Sequence, residues 1–264
     1  MTKKSIFKSL AFTLLAFLLF DGCDNNDPGP LPCLITSSSS TGGGYTYIHT
    51  LVYNNREAVS GINTSETPNG STTQNATYTY NGDGNLFEIS YTSGVREVFT
   101  YTNGEITKKE TFNRNSRLID QTDYEYANAQ LIKIQEYAFT SGTTSLEKEV
   151  YQTFEFATPS DTNPVRAQYF FSPGTTVAAN ISEFTYSDLK GAFAAAPVGL
   201  LKYFKINGQS TDKAITKQVI LSTISNQTIT YAYEFNSDGF PTTRIETYSD
   251  GQQPRATTYT YDCN

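Results

Sequence analysis

The chain has 264 residues, a formal net charge of −7 and 17% charged residues, a balance typical of globular proteins. It contains 19 Tyr and 17 Phe but no Trp, one His, one Met and three Cys. Zinc sites and most Ser or Cys nucleophiles need histidine, and only His49 is present, so the composition disfavours metal sites and nucleophilic catalysis. The acidic balance disfavours a nucleic-acid partner, because such partners bind basic surfaces.

The first residues are typical of an export signal. Three lysines precede an apolar run at residues 10–20, and Cys23 follows shortly afterwards. This run is shorter than the roughly 20 apolar residues of a transmembrane helix, which favours a cleaved signal over a permanent span. We therefore predict a signal peptide at residues 1–22.

Residues 20–23, with the sequence Phe-Asp-Gly-Cys, resemble the lipobox of bacterial lipoproteins, in which the cysteine becomes the acylated first residue. The resemblance implies lipidation of Cys23 and a membrane partner reached through that anchor. An ordinary signal peptide followed by an unmodified thiol is the alternative. The implied location is the outer membrane, with the protein exposed at the cell surface or, alternatively, on the periplasmic face.

The residues after Cys23 are polar and Pro-rich as far as Pro32, a composition typical of a flexible tether. We divide the remaining chain into an anchor and tether at residues 23–44 and a single β domain at residues 45–264. Cys33 and Cys263 remain in a compartment where disulfides persist, so we predict a bond between them that ties the first strand to the last. Two free, buried thiols are the alternative.

Between these ends the chain repeats a short phrase: two aromatic residues at alternate positions, a turn rich in Asn, Asp and Gly, and an aliphatic residue. The fullest copy runs from Tyr78 to Ile89. Eight aromatic pairs show the alternation: Tyr45 and Tyr47, Tyr78 and Tyr80, Phe99 and Tyr101, Tyr124 and Tyr126, Phe154 and Phe156, Phe184 and Tyr186, Tyr233 and Phe235, and Tyr259 and Tyr261.

The phrase is typical of a β-hairpin. Alternation places both rings on one face of a strand, and Asn-Gly or Asp-Gly adopts the positive φ angles of tight turns. We therefore predict an all-β fold, an antiparallel meander of hairpins that forms one large curled sheet or open barrel.

This phrase resembles the YD repeat of RHS-type proteins. Together with Cys33 and the closing residues 259–264, it is also similar to a family of Bacteroidetes surface lipoproteins of unknown function with a curled, porin-like sheet. The resemblance implies that fold over nearly all of the mature chain. It supplies no catalytic residues.

Residues 187–201 interrupt the pattern with a run rich in Ala and small apolar residues. We expect an apolar loop with one short helical turn that ends before Pro197, because proline cannot continue a helix. Such an insertion could be a plug that shapes a pocket. The favoured alternative is a lid that hides apolar surface of the curled sheet.

Other motifs have simpler explanations. Asn81, Asp83 and Asn85 alternate like calcium ligands, but the later ligands of a calcium loop are missing, so we expect a hairpin turn and no metal. We expect His49 to be a packed or half-exposed strand residue. Four glutamates could supply a carboxylate pair, but we expect them on the solvated faces of their strands: Glu88, Glu97, Glu125 and Glu155.

These observations favour a non-catalytic binding or surface-presentation module of the cell envelope, without a cofactor, that contacts a glycan or protein ligand. The alternatives are a structural, encapsulating β-shell and, less favoured, a carboxylate-based glycoside hydrolase. Polar exterior residues such as Thr79 and Thr100 argue against a lipid-facing pore. Four aromatics decide between binding and structure, because solvent-facing rings favour binding and lumen-facing rings favour a shell: Tyr78, Tyr80, Tyr124 and Tyr126.

Overall fold

The structure is a computed structural model. It describes residues 33–54, 57–139, 146–171, 175–196, 198–206, 213–222 and 225–263. The predicted signal peptide and the predicted lipidation site, Cys23, lie outside the described residues.

Antiparallel strands form a closed barrel in the described part of the chain, which confirms the predicted all-β meander. Each strand pairs with the next one along the chain, and the last strand pairs with the first. The strands are β1 (Leu34–Gly42), β2 (Tyr45–Asn54), β3 (Glu57–Thr67), β4 (Gly70–Tyr80), β5 (Leu86–Tyr91), β6 (Arg96–Thr102), β7 (Glu105–Phe112), β8 (Leu118–Ala127), β9 (Gln130–Phe139), β10 (Leu146–Glu155), β11 (Arg166–Phe170), β12 (Asn180–Lys190), β13 (Lys213–Ser222), β14 (Asn226–Phe235), β15 (Pro241–Tyr248) and β16 (Arg255–Asp262).

The predicted turn chemistry is confirmed where the phrase ends in glycine. Asn103 and Gly104 have φ angles of 52° and 79°, the double positive φ of a type I′ hairpin turn. Gly84 and Gly239 also adopt positive φ, at 74° and 78°. Because neighbouring strands are antiparallel, every turn that follows an even-numbered strand lies at the same end of the barrel.

The boundary predicted at residue 45 is wrong, because residues 34–42 form β1 and belong to the barrel. The Ser- and Thr-rich composition of this segment looks like a tether. Hydroxyl side chains suit a half-buried strand equally well when partners are available on both sides. Here β1 pairs with β2 and with β16, and Ser38 and Ser40 face the lumen beside His49 and Tyr47.

The barrel is closed at the seam between β1 and β16. Seven residue pairs join these two strands, from Leu34 and Asp262 to Thr41 and Ala256. The disulfide between Cys33 and Cys263 lies at one end of this seam, with Cα atoms 4.1 Å apart, and confirms the predicted bond. The covalent link therefore holds the first and last strands together.

A β-bulge directly precedes the last lumen-facing aromatic residue in most even-numbered strands. At each bulge the odd-numbered partner strand carries one extra residue, such as Phe87 opposite the step from Thr79 to Tyr80. The register shifts lie between Val52 and Tyr53, Thr79 and Tyr80, Thr100 and Tyr101, Glu125 and Tyr126, Thr185 and Tyr186, and Glu234 and Phe235. We call this end of the barrel the bulged end.

The bulges explain a spacing in the sequence. Leu86 and Ile89 are three residues apart, as are Leu131 and Ile134, yet all four are buried on the lumen side. A regular strand would place residues three apart on opposite faces. The extra residue restores both to the same face, and bulges add the twist that helps a sheet to close.

Tyrosine hydroxyls bind the backbone carbonyls at these bulges. Tyr80 donates to the Ala58 carbonyl and Tyr101 donates to the Leu86 carbonyl, each at 2.8 Å. Burial raises the pKa of Tyr101 to about 12, so its hydroxyl stays protonated and remains a donor at neutral pH. The same arrangement links Tyr53 to Ile35, Tyr233 to Ile215 and Tyr261 to Pro241.

The pair Tyr45 and Tyr47 does not take part in this arrangement. Tyr45 and Tyr47 are 47% and 52% exposed near the opposite end of β2, and their rings stack on each other. Tyr53 occupies the bulge position of that strand instead, preceded by the buried Leu51. The alternation of aromatics alone therefore selected the wrong pair in β2.

The insertion between β12 and β13 contains more helix than the sequence predicts. A short 3₁₀ helix (Ala192–Ala195) is followed by α1 (Val198–Ile206). The 3₁₀ helix confirms the expected short helical turn before Pro197, but the sequence pattern does not predict α1, which begins at Val198. We call residues 192–196 and 198–206 together the plug.

The plug packs into the lumen at the bulged end. Phe193, Leu200, Phe204 and Ile206 are buried in one hydrophobic cluster with wall residues that include Phe99. Lys202 binds the Gly104 carbonyl in the turn between β6 and β7. The apolar run is therefore both core and end closure, which combines the two alternatives considered for it.

Replacing Tyr80 with phenylalanine tests the bulge contacts. Tyr80→Phe keeps the ring but removes the donor to the Ala58 carbonyl, and we expect the free energy of unfolding to fall by about 1 kcal/mol. Tyr47→Phe is the matched control, because that ring is 52% exposed and lies away from the bulges. Urea unfolding followed by circular dichroism measures both, and an equal effect of the two changes would contradict the assigned role.

Candidate functional site

The four tyrosines proposed as binding or core aromatics all face the lumen. Tyr78 and Tyr124 are 8% and 6% exposed, and Tyr80 and Tyr126 are half-buried against the same hydrophobic cluster. Tyr78 lies so close to Gly61 that a Cβ atom there would be 2.6 Å from its hydroxyl oxygen. The structure therefore contains packed lumen rings here, and a solvent-facing aromatic row is not formed by these residues.

Three of the four candidate glutamates lie on the outer face, as expected. Each is within ion-pair distance of a basic residue on a neighbouring strand: Glu88 of Arg96, Glu125 of Lys133 and Glu155 of Arg166. Such exposed pairs contribute little, typically about 0 to 1 kcal/mol. They do not converge on a cleft.

Glu97 is the exception, and its expected position on a solvated face is wrong. It precedes Phe99 by two residues, so the strand alternation places it in the lumen. Tyr91 donates to its carboxylate at 3.4 Å. Burial raises the pKa of Glu97, although attraction to Lys109 partly opposes this shift.

The calcium-like segment forms a hairpin turn. The Asn81 side-chain oxygen accepts from the backbone N–H groups of Asp83 and Asn85, each at 3.0 Å. This is an Asx turn, in which the side chain stabilises its own loop. The described residues contain one cluster of potential metal ligands, Cys33, Asp238 and Cys263, but the two sulfurs are bonded to each other in the disulfide.

The outer face of the wall is rich in threonine and charged residues. Thr79, Thr100, Glu125 and Glu155 are all exposed there. A membrane-spanning barrel instead presents an apolar band about 25 Å tall to lipid. Within the described residues, no helix is long and apolar enough to span a membrane.

Two adjoining cavities occupy the lumen on the β1 to β5 side. One, of about 410 Å³, lies against the plug, and the other, of about 640 Å³, reaches Ser93 in the turn between β5 and β6. They share Ser38, Ser40, His49 and Asn63. We call these two cavities together the polar cup.

Aromatic residues of the plug form the floor of the polar cup. Phe193, Tyr203 and Phe204 line the inner cavity. The Phe193 and Phe204 ring centroids are 4.5 Å apart, and Tyr203 packs edge to face on Phe99 at 5.7 Å. The floor is thus built from rings that also contact the wall, which fixes their orientation.

His49 is packed against this floor, which confirms the expectation of a packed strand residue. Its ring makes an edge contact with Phe204 at 6.3 Å, and its Nε2 atom lies 3.5 Å from the Tyr78 hydroxyl. Burial lowers the pKa of His49, so the imidazole is neutral at neutral pH. A neutral imidazole can offer either a donor or an acceptor to a ligand.

Arg244 supplies a cation to the wall of the polar cup. Its guanidinium donates to the Glu246 carboxylate at 2.6 Å, and Tyr248 donates to the other oxygen of that carboxylate at 2.6 Å. The buried Nε atom of Arg244 has no hydrogen-bond partner among the described residues. Glu246 therefore holds the arginine in place and is itself fully engaged.

A third cavity, which we call the side cavity, has a volume of about 430 Å³. It lies between the end of α1, at Lys205 and Ile206, and the part of the wall that runs from β7 to β13. Its lining combines aromatic and aliphatic side chains with a few polar groups, including Lys109 and Gln152. The plug therefore separates two lumen spaces of different chemistry.

The sequence contained a usable signal for part of this site. Glu97 precedes Phe99 by two residues, and Gln152 likewise precedes Phe154, so alternation alone assigns both to the aromatic face. Alternation gives no such signal for Lys109. A bulge opposite the step from Thr100 to Tyr101 lies between Ile106 and Lys109, so both residues face the lumen although they are three residues apart. In the same way, the bulge opposite the step from Glu234 to Phe235 separates Arg244 from Pro241, the buried first residue of β15.

The fold is similar to two solved porin-like proteins. The protein from Bacteroides uniformis superimposes with a TM-score of 0.63 at 17% sequence identity, covering 88% of this chain and 99% of that one. The protein from Bacteroides vulgatus gives a TM-score of 0.58 at 12% identity, covering 87% and 98%. No protein-family model and no curated protein matches the sequence. At these identities the similarity establishes the β-barrel fold.

The buried carboxyl group of Glu97 makes stability depend on pH. A raised folded-state pKa means that the folded protein keeps this proton after the unfolded chain has lost it. The free energy of unfolding therefore falls as the pH rises above the unfolded value of about 4.3, towards the folded pKa. The Glu97→Gln variant has no carboxyl group to lose a proton, so it does not lose stability in this way. Its free energy of unfolding relative to that of the native chain should therefore rise between about pH 4 and pH 7.

Urea unfolding at about pH 4 and about pH 7 measures the difference in the free energy of unfolding between Glu97→Gln and the native chain. Glu234→Gln is the control, because Glu234 is exposed on the outer face. A stability difference for Glu97→Gln that is independent of pH would show that burial of the charge is not its cause.

Proposed function

We propose that this protein is a lipid-anchored protein of the cell envelope whose barrel binds a glycan in the polar cup without catalysing a reaction. The observation that carries the proposal is the aromatic floor, because it closes the polar cup on the side of the bulged end and leaves a cup rather than a channel. The anchor rests on the lipobox-like residues 20–23. The porin-like structural neighbours are consistent with an envelope protein.

The chemistry of the cup suits a polar ring with an apolar face. Hydroxyl and amide groups of Ser38, Ser40, Asn63 and Thr257 line its wall, and the rings of the floor lie below them. Sugars combine hydroxyl groups with apolar C–H faces that stack on aromatic rings. Small-molecule sites are commonly concave, with convergent polar groups of this kind.

The same lining supports a non-catalytic role. The described residues that line the two cavities of the cup include no Asp or Glu. Glycoside hydrolysis ordinarily needs two carboxyl groups on either side of the scissile bond. Glu246 is engaged by Arg244 and Tyr248, and Glu97 is bound by Tyr91 outside the lining.

A structural shell is the second candidate function. It is favoured by the packing of Tyr78 and Tyr124 in the lumen, where their rings serve the core. A shell needs no ligand, so it predicts a blank glycan array and no effect of cup variants on any binding property. A glycan array therefore distinguishes the two candidate functions.

Blocking the cup tests the binding proposal. The chain from residue 24 onward, which contains the whole described barrel, is applied to an array of neutral and acidic bacterial glycans. We expect saturable binding to a defined class, loss of that binding in Ser40→Trp, and retention in Ser39→Trp, because Ser40 faces the lumen and Ser39 the exterior. A blank array, or equal loss in both variants, would contradict glycan binding.

Lipidation of Cys23 is tested separately in cells. We expect metabolic labelling with a palmitate analogue to mark the protein and fractionation to place it with the outer membrane. Cys23→Ser should lose both the label and the membrane association, whereas Cys33→Ser should keep the label. A mature protein with an unmodified thiol at Cys23 would show that the anchor assignment is incorrect.

A further inference from the structure

We infer that the side cavity is a binding site for an amphipathic monocarboxylic acid, distinct from the polar cup in place and in chemistry. Its volume of about 430 Å³ lies within the range of roughly 300 to 1,000 Å³ that small-molecule sites occupy. The plug stands between the two spaces, so this site is independent of any ligand in the cup.

Apolar and aromatic residues make up more than half of the lining of the side cavity. Aromatic and aliphatic side chains from the wall strands β8 to β13 and from α1 line it, among them Tyr124, Leu131, Ile134, Phe154, Phe184 and Ile206. A ligand with a hydrocarbon or aromatic body would remove this surface from water, at roughly 25 cal/mol for each Å² buried. This part of the lining selects for an apolar body.

Two ammonium groups give the cavity its charge preference. Lys109 reaches it from β7 and Lys205 from the last turn of α1. In the described part of the chain, neither has a carboxylate within ion-pair distance, whereas the exterior lysines Lys133 and Lys213 are both paired. Cations that face a cavity without an ion pair attract a negatively charged ligand group.

The carboxyl groups near the cavity limit the charge of the ligand. Glu136 also lines the cavity, and Glu97 lies close enough to Lys109 to interact with it electrostatically. Because these carboxyl groups offset part of the positive charge of the two lysines, the cavity disfavours a phosphate or a dicarboxylate as the ligand head group. Gln152 adds an amide group that can bind a carboxylate oxygen.

The position of the cavity allows entry at the bulged end. Phe156, Asn163 and Pro164, which lie in the connection between β10 and β11, line it together with Lys205. This connection follows an even-numbered strand and so belongs to the bulged end.

Isothermal titration calorimetry with dodecanoate, dodecanol and dodecylamine tests the site on the chain from residue 24 onward. These probes share the same tail and differ in the charge of the head group. We expect saturable binding of one dodecanoate per barrel, weaker binding of dodecanol and the weakest binding of dodecylamine. Equal affinities for the three would overturn the charge assignment, and no saturable binding of dodecanoate would overturn the site.

Single substitutions then locate the head group. Lys109→Gln or Lys205→Gln should weaken dodecanoate binding by about tenfold while leaving dodecanol unchanged. Lys108→Gln is the matched control, because Lys108 neighbours Lys109 in sequence but faces the exterior. Equal losses in Lys108→Gln and Lys109→Gln would contradict binding inside the barrel.

Filling the cavity provides a test that does not depend on charge. Ala167, which is 4% exposed, lines the cavity, so Ala167→Leu should reduce the affinity for dodecanoate and for dodecanol alike. Ser40→Trp in the polar cup serves as the control and should leave dodecanoate binding intact. Circular dichroism verifies that each variant is folded, and unchanged dodecanoate affinity in folded Ala167→Leu would overturn the assigned location.

Discussion

The barrel depends on how the backbone carbonyls left open by its bulges are satisfied. In five odd-numbered strands, the residue just before the extra residue has its carbonyl bound by a tyrosine hydroxyl from the next strand, as with Ala58 and Tyr80. A carbonyl buried without a partner costs about 1 to 3 kcal/mol, so these hydroxyls make the bulges tolerable inside a packed lumen. The bulges in turn supply the twist that lets the sheet close. The repeated Tyr of the phrase therefore combines a packing role with a hydrogen-bonding role that Phe cannot supply.

Closure of the wall and closure of one end are achieved by different parts of the chain. The strands close through the seam between β1 and β16, whereas the insertion between β12 and β13 occupies the lumen at the bulged end. Because the plug carries rings on one side and Lys205 on the other, it gives the two remaining spaces different linings. A single insertion thus determines how much of the lumen is core and what chemistry remains accessible.

Sequence periodicity predicted the wall well and the lumen poorly. Alternating aromatics and Asn-Gly turns report local geometry, so the meander and the turn at Asn103 followed from them. The seam disulfide followed from the number and positions of the cysteines. The Ser-rich β1 was missed because hydroxyl residues suit both tethers and paired strands, and only the partner strands distinguish the two. α1 was missed because Pro197 can end one helix or begin the next. The sidedness of Lys109 and Arg244 depends on bulges, which shift the face of every residue that follows.

The position of the disulfide has a mechanical consequence. Any load on the chain that precedes Cys33 enters the barrel at that residue, and the bond to Cys263 divides it between β1 and β16 at once. The load then acts on both strands together, so the seam between them cannot be peeled open from that end one residue pair at a time. A barrel suspended from its N-terminal segment would in this way resist pulling at the point where an unlinked seam would open first.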